Sequence, residues 1–321
     1  MIDAPTPRPL RWIHRLAWAS LVVAVLLTIG LGGAVTSADV GMAYPTWPDM
    51  NGASLFNFFY GKLAAEHGAG ANLEHTHRQA GALIGLLCIA LAAACWLGRG
   101  VPARLRRLSL LALVVVVAQG LLGAFRVLEN AQAAGIVHAL GAQFLVVLLV
   151  AVLRHSTPAW LLAPGPAAAA PGCRRLRAWS RLAILLLFLN LAAAASLRHK
   201  EGAFAGHFVL ALTSSAVLLG LVWLVAREGG GHPPLRSQAR WLANLLGVQL
   251  GLGVGTWAVI WGPLVGRMGS EENRFLAQAG LSTAHLLVGV LVMAVAAALH
   301  LETVHRLQPP APGASDRQPD A

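Results

Sequence analysis

The chain has 321 residues, of which 57% are hydrophobic and only 12% are charged. A soluble domain carries roughly 25% charged residues, so this composition excludes a domain whose whole surface contacts water. The net charge of +11 does not predict a nucleic-acid partner, because the basic residues form small clusters between long apolar runs. The three cysteines, two in one apolar segment and one in a linker, fit neither a disulfide framework nor a zinc site.

Eight apolar segments are long enough to cross a bilayer, whose core of about 30 Å needs about 20 helical residues. The predicted spans are 13–35, 74–97, 104–125, 130–153, 177–197, 202–226, 241–265 and 275–299, and the fifth is the shortest. The first is interpreted as a retained span, because no small-residue cleavage site follows it. The sequence therefore predicts an all-α membrane protein with eight transmembrane helices.

The basic residues predict the orientation of these spans. If the N-terminus is cytoplasmic, 17 Lys and Arg residues lie on the inner side and 7 on the outer side. The positive-inside rule therefore places both termini in the cytoplasm. The tail 308–321 is Pro-rich and polar, so we expect it to be disordered.

The two halves of the chain share an internal repeat. The segment 119–123 (QGLLG) in the third span matches 249–253 (QLGLG) in the seventh at an offset of 130 residues, and His77 and His207 keep the same offset. We predict two tandem, pseudo-symmetric four-helix bundles. The domain boundaries that follow are 1–155 for the N-terminal half, 156–176 for a cytoplasmic Ala/Pro linker, 177–307 for the C-terminal half and 308–321 for the tail.

Four histidines lie in even-numbered spans near the outer face: His77, His138, His207 and His285. The second corresponding pair, His138 and His285, is separated by 147 residues, which is 17 more than the offset of 130. We assign the extra 17 residues to a longer loop between spans seven and eight. Ionisable residues inside a membrane are costly and usually functional. Two histidines per half on alternate helices suit a haem iron held within a bundle. A hydrogen-bonded packing role is the alternative for any single one of them.

Glu74 lies three residues before His77 and therefore shares its helix face, with Arg78 next along the chain. An ion pair between Glu74 and Arg78 that anchors the helix end is one interpretation. In the other, Arg78 and Arg126 bind haem propionates, which a guanidinium grips with two hydrogen bonds. A non-haem metal site would need more carboxylates or cysteines than Glu74 supplies.

The remaining histidines are predicted from position alone. Five lie at inner helix ends or in inner loops, where we expect a solvated role: His14, His155, His232, His300 and His305. Three at the outer side receive no role from the sequence: His67, His75 and His199.

The segment 74–81 (EHTHRQAG) resembles the Glu-x-x-His-Arg-x-x-Gly signature of haem A synthases and related cytochrome oxidase assembly proteins. The preceding segment 44–52 (YPTWPDMNG) resembles the Pro-x-Trp-Pro-x-x-Asn-Gly element of that family. The segment 119–123 with Arg126 is similar to the family's third span, and His138 with Gln143 to its fourth. In the C-terminal half the resemblance rests on topology, His207 and His285.

This resemblance implies an oxidoreductase of the bacterial inner membrane that oxidises a methyl group of haem O to the formyl group of haem A, for terminal oxidase biogenesis. It implies that His77 and His138 attend the substrate haem O, and that His207 and His285 ligate haem b. Glu74 would be the catalytic acidic residue. The chain departs from the family in lacking a cysteine pair in its first outer loop. It also has Phe208, not arginine, after His207, so Arg198 or Lys200 would meet the propionates there.

Two other functions stay open at the level of sequence. One is a b-type cytochrome that relays electrons or hands haem to an oxidase assembly partner. The other is a transporter whose histidines bind a solute or relay protons. The expected partners are the lipid bilayer, haem O, the haem O synthase that supplies it and an electron donor that the sequence does not identify. No nucleic-acid partner is expected, and a homo-oligomer is left open.

Overall fold

The computed structural model describes residues 8–52, 54–56, 60–161, 168–170, 172–229 and 232–309. Within these residues, eight helices are long and apolar enough to cross a membrane, which confirms the predicted all-α membrane class. Most of the tail, for which disorder is predicted, lies outside the described residues.

The first span is built from three consecutive helical segments and the other seven spans are single helices. The first comprises α1 (Arg8–Val22), a π-helical segment (Val23–Ile29) and α2 (Gly30–Ser37), and a short α3 (Tyr60–His67) precedes the second. Spans two to four are α4 (Ala69–Leu97), α5 (Ala103–Leu128) and α6 (Gln132–His155). A short α7 (Pro158–Leu161) follows, and spans five to eight are α8 (Cys173–Arg198), α9 (Phe204–Glu228), α10 (Pro233–Ile260) and α11 (Glu271–Arg306).

The last two spans differ from the prediction at their ends. The seventh starts eight residues earlier than 241, at a pair of prolines suited to a helix start, and it ends at Ile260 instead of 265. The eighth has 36 residues instead of the predicted 275–299, and it is capped by Ser270, whose hydroxyl accepts from the Asn273 backbone N–H. The fifth span has 26 residues and is not short.

The extra residues between His138 and His285 do not all lie in a loop, which corrects the prediction. The seventh and eighth spans are joined by 261–270, whereas only 129–131 join the third and fourth. In addition, His285 is the fifteenth residue of its helix and His138 only the seventh. The longer eighth helix therefore supplies part of the difference.

Within each half, consecutive helices pack as a closed ring, with contacts from one to two, two to three, three to four and four to one, and likewise from five to eight. Each half has its own apolar core, which includes Leu91 and Leu149 in the first and Leu221 and Leu299 in the second. A third cluster, including Val290, joins spans one, four and eight. The eighth span thus holds the halves together; their pseudo-symmetry stays a prediction.

The span ends that the sequence predicts to face the cytoplasm, called inner ends below, form a polar cluster, which we call the inner cluster. The buried Glu302 carboxylate pairs with Arg154 of the fourth span, with His232 Nε2 at 3.0 Å and with Arg306 Nε at 3.6 Å. Next to it, the linker residue Trp160 stacks on the ring of His305, with centroids 4.0 Å apart. The linker also pairs with the end of the eighth span through two-residue parallel strands, β1 (Ala168–Ala169) and β2 (Leu307–Gln308).

Of the five inner histidines for which a solvated role is predicted, His155 is buried, which contradicts the prediction, and the other four are partly exposed. His14 Nδ1 lies 3.0 Å from the Ser156 hydroxyl, and His300 Nδ1 lies 2.8 Å from the Ser180 hydroxyl. His155 is buried, with Nδ1 2.8 Å from the carbonyl oxygen of Ala151 in its own helix. His232 and His305 belong to the inner cluster. Two of these contacts involve described linker residues, Ser156 for His14 and Trp160 for His305.

Candidate functional site

The structure brings His207 of the sixth span and His285 of the eighth span together. Their ring centroids are 6.3 Å apart and the ring planes are nearly perpendicular, at 83°. With metal–nitrogen bonds of about 2 Å, two imidazoles on opposite sides of one metal ion have centroids about 6 Å apart. His207 and His285 are therefore the residues that would hold a haem iron in the second half.

The surroundings of His285 support a ligating role. Its Nδ1 lies 3.2 Å from the backbone carbonyl oxygen of Gln249 in the seventh span, and its Nε2 lies 3.4 Å from the Gln249 side-chain nitrogen. A carbonyl at Nδ1 holds the proton there, so Nε2 carries the lone pair, which accepts from the Gln249 amide and would bind a metal once that amide moved away. Gly253, one turn on, lets the ring approach, since a Cβ atom at that position would lie 3.1 Å from His285 Cε1.

In the first half, His77 of the second span and His138 of the fourth lie close enough for their charges to interact. Both residues are partly exposed, yet their Nδ1 atoms are buried and have no hydrogen-bond partner among the described residues. The Nδ1 atom of His207 is buried in the same way and also has no such partner. A ring with its Nδ1 buried presents its other edge, which includes Nε2. Gly123 of the third span allows the approach of His138, because a Cβ atom there would be 3.6 Å from Cε1.

All four rings share one local arrangement. The nearby residue of the preceding odd-numbered span is Thr28 for His77, Gln119 for His138, Asn190 for His207 and Gln249 for His285. Among the described residues, only Gln249 has its carbonyl oxygen within hydrogen-bond distance of the ring. The sequence repeat pointed to the two glutamines, whereas sequence reasoning missed Thr28 and Asn190. Their signal was available, since each is an isolated polar residue within an apolar odd-numbered span.

The π-helical segment of the first span leads directly into the His77 contact. π-Helical turns are rare and often mark functional sites. Thr28, within this segment, donates from its hydroxyl to the carbonyl oxygens of Val23, at 3.2 Å, and of Ala80 in the second span, at 3.4 Å. One turn later, Gly32 lies flat against the His77 ring, where a Cβ atom would be only 2.7 Å from Cε1. No residue larger than glycine fits there without moving the ring.

Glu74 and Arg78 form the ion pair that the sequence left as one alternative. Arg78 Nη2 donates to Glu74 Oε1 at 2.6 Å, both side chains are largely buried, and Glu74 Oε2 accepts from the Tyr44 backbone N–H at 3.2 Å. Arg78 also donates to the carbonyl oxygens of Tyr44 at 2.7 Å, Thr46 at 2.8 Å and Asp49 at 3.1 Å. The pair thus holds the first outer loop, residues 38–52, against the second span. Four of the five guanidinium N–H donors are used, so propionate binding by Arg78 would require this network to open.

The first outer loop is itself packed. Tyr44 and Met50 are fully buried against Leu63 and Ala71. Burial, and then the negative charge of Glu74, raise the pKa of the Tyr44 hydroxyl above its ordinary value. The loop is therefore an ordered cover beside the outer end of the second span.

The other basic residues at the outer end also have protein partners. Arg126 donates to Asn130 Oδ1 at 2.9 Å. Arg198 donates to the Gly33 carbonyl oxygen at 2.7 Å and to a serine hydroxyl of the first span, and Lys200 pairs with Asp39 at 3.2 Å. Propionate binding by Arg198 or Lys200 stays a prediction. Both tie the fifth span to the first.

Of the outer histidines without a predicted role, two receive a place in the structure. His75 is fully buried, with Nε2 3.0 Å from Gln79 Nε2, and Gln79 Oε1 accepts from the Tyr60 hydroxyl of α3 at 2.5 Å. Burial, and then the nearby Arg126 charge, lower the pKa of His199. The side chain of His67 lies outside the described residues, within which no cluster of three or more His, Cys, Asp or Glu side chains could hold a metal ion.

Fold and site together define a multi-pass helical membrane protein in which two histidines, His207 and His285, face each other in the second half. Residues 61–206, a little under half of the chain, match the sequence model of the family described as cytochrome oxidase assembly protein. The matched segment contains Glu74, His77, Arg78, Arg126 and His138, and it ends one residue before His207.

A protein named Heme A synthase, from Chelativorans sp. (strain BNC1), is 67% identical to the chain over 33 residues. This stretch covers 10% of the chain and spans only 9% of the relative's length. No solved structure matches the chain.

Proposed function

We propose that the chain is a haem A synthase, which oxidises a methyl group of haem O to the formyl group of haem A. One observation carries this proposal: the rings of His207 and His285 face each other in the second half, at a spacing that suits two ligands of one iron. The family match over the segment that contains His77 and His138 supports it.

In this proposal the two halves have different tasks. His207 and His285 hold haem b, and His77 and His138 hold the substrate haem O. When bound, the haem groups supply the redox chemistry, while the protein supplies ligands, orientation and a low-dielectric enclosure. We further propose that the chain lies in a bacterial inner membrane with both termini in the cytoplasm, receives haem O from a haem O synthase and uses a separate electron donor.

Glu74 has a positioning task in addition to the catalytic one that the resemblance implies. Its carboxylate holds Arg78 and the Tyr44 backbone, and through them the first outer loop, three residues from His77. To exchange a proton with substrate, the carboxylate would first have to leave Arg78. Closure of the loop and proton transfer are thus coupled at one side chain.

The test is haem analysis of the purified chain after co-expression with a haem O source. We expect haem b together with haem O or haem A. His77→Ala and His138→Ala should abolish haem A while haem b is retained, and His207→Ala and His285→Ala should lose haem b. His300→Ala, an inner-end histidine paired with Ser180, is the matched control and should change neither. Haem A formation by His77→Ala at the wild-type level would contradict the proposal.

A second candidate function is a non-enzymatic b-type cytochrome or haem-handling assembly factor. The closed Glu74–Arg78 pair favours it, because a carboxylate held in this way supports structure without any role in chemistry. It predicts two bis-histidine haems b per chain and no conversion of haem O. A strain that lacks the chain would then still make haem A, whereas the synthase proposal predicts that it accumulates haem O.

A further inference from the structure

A groove lies between the inner ends of the sixth and seventh spans, at the opposite end of the sixth span from His207. Its volume is about 510 Å³, within the range of small-molecule sites. One part of its wall is apolar and the other carries two arginines; the lining residues are Val222, Val225, Ala226, Pro233, Arg236, Ala239 and Arg240. The groove therefore combines an apolar surface with two positive charges.

The two arginines of this groove are exposed and lie one helical turn apart on the seventh span. Within the described residues, neither guanidinium makes a hydrogen bond or an ion pair. Other arginines at this end are paired: Arg154 with Glu302, and Arg175 with Glu228 at 3.2 Å. Like charges at positions i and i+4 repel each other on a helix, so an anion bound between Arg236 and Arg240 would remove a repulsion.

We infer that this groove binds one anionic phospholipid of the inner leaflet. Its phosphate lies between the guanidiniums of Arg236 and Arg240, which suit the oxygens of a phosphate, and its acyl chains lie along Val222 and Ala226. Basic pockets between transmembrane helices on the cytoplasmic side recognise anionic head groups in this way. The predicted orientation places the groove at that leaflet.

The phospholipid bridges the spans that carry His207 and Gln249, at the opposite end from those residues. It is a lipid and not a soluble anion that fits, because only a molecule with acyl chains uses the apolar wall. No residue that lines the groove belongs to either histidine pair, so the inference is independent of the proposed function.

The test is native mass spectrometry of the purified full chain with equimolar phosphatidylglycerol and phosphatidylcholine of identical acyl chains. We expect the wild type to retain phosphatidylglycerol preferentially. Arg236→Gln with Arg240→Gln should lower this retention by about ten-fold or more, from the contribution of each basic residue near an anionic surface. Arg11→Gln with Arg107→Gln removes two exposed arginines at the same end and is the matched control, which should retain the preference.

Two further variants keep the test decisive if the double glutamine variant does not fold. Ala226→Trp fills the apolar part of the groove and should also reduce retention of phosphatidylglycerol. Arg236→Lys with Arg240→Lys keeps both charges and should preserve the preference. Equal retention of the two lipids by the wild type, or an unchanged preference in the double glutamine variant, would overturn the inference. The inference would also be overturned if glycerol 3-phosphate displaced the bound lipid as effectively as added phosphatidylglycerol does, because the site would then bind a soluble anion.

Discussion

Replacement of Gly32 by alanine adds one methyl group at the point where the first span meets the ring of His77. The new Cβ atom would lie 2.7 Å from His77 Cε1, 3.2 Å from Nδ1 and 3.3 Å from Nε2. Carbon atoms in ordinary contact are 3.5–4.0 Å apart, so the ring must move by about 1 Å. A displacement of about 1 Å in a catalytic arrangement costs on the order of a hundred-fold in rate.

The helix offers a control two residues away. At Gly30 the nearest atom to an added Cβ is Leu287 Cδ2 at 3.6 Å, which is an ordinary contact. Gly30→Ala and Gly32→Ala therefore make the same chemical change in α2, and only the second touches the His77 ring. Any general effect of alanine on the helix cancels in the comparison.

The assay measures haem A formation per chain in cells that supply haem O, together with the haem b spectrum and the unfolding temperature of each purified variant. We expect Gly32→Ala to lose about a hundred-fold in haem A formation, since His77 is displaced, while its haem b is retained. Gly30→Ala should keep wild-type activity. Equal haem A formation by the two variants would refute the contact between Gly32 and His77 as a determinant of the site.

Three further predictions concern other parts of the structure. Glu302→Gln should lower the free energy of unfolding by about 3 kcal/mol, because it leaves the buried basic groups of the inner cluster without a counter-charge. Thermal unfolding in detergent measures this loss, and Glu272→Gln, at an exposed position, is the control. Arg78→Ala should release the first outer loop and increase its cleavage by added protease. Arg78→Lys should not restore protection, because one ammonium group cannot replace three hydrogen bonds to separate loop carbonyl oxygens and a fourth to Glu74. An unchanged cleavage rate would contradict this role. Gly253→Ala should shift the haem b spectrum, whereas Gly251→Ala, with no atom within 4 Å of its added Cβ, should leave it unchanged.

The number of spans and the placement of the histidines followed from the sequence, because hydropathy and ionisable groups are local properties. Helix ends did not follow as well. The seventh span continues beyond its apolar stretch to Pro233, since polar residues at a membrane surface extend a helix without changing its hydropathy signal. The eighth span likewise extends to Arg306, where burial in the inner cluster replaces contact with water.

The candidate site was predictable only in part. The chain positions of Glu74, His77 and Arg78 indicated one shared helix face, but the main partners of Arg78 are carbonyl oxygens in a loop about 30 residues earlier. Loop conformation has no periodicity that a sequence pattern could reveal. In the same way, the contact of Trp160 with His305 joins two segments far apart in the chain, and no local pattern indicates such a tertiary contact.

Adjacent glycines in the first span set how far apart the two histidine pairs are. Gly32 lies against His77, and Gly33, the next residue, lies against Leu286, which is bonded to His285. A helix backbone without side chains has a radius of about 2.3 Å, so the barrier between the halves at this point is one bare helix turn and one leucine side chain. Under the proposed function, the residues that would hold the two haem groups are separated here by this thin wall, and electron transfer between the halves would need no diffusible carrier.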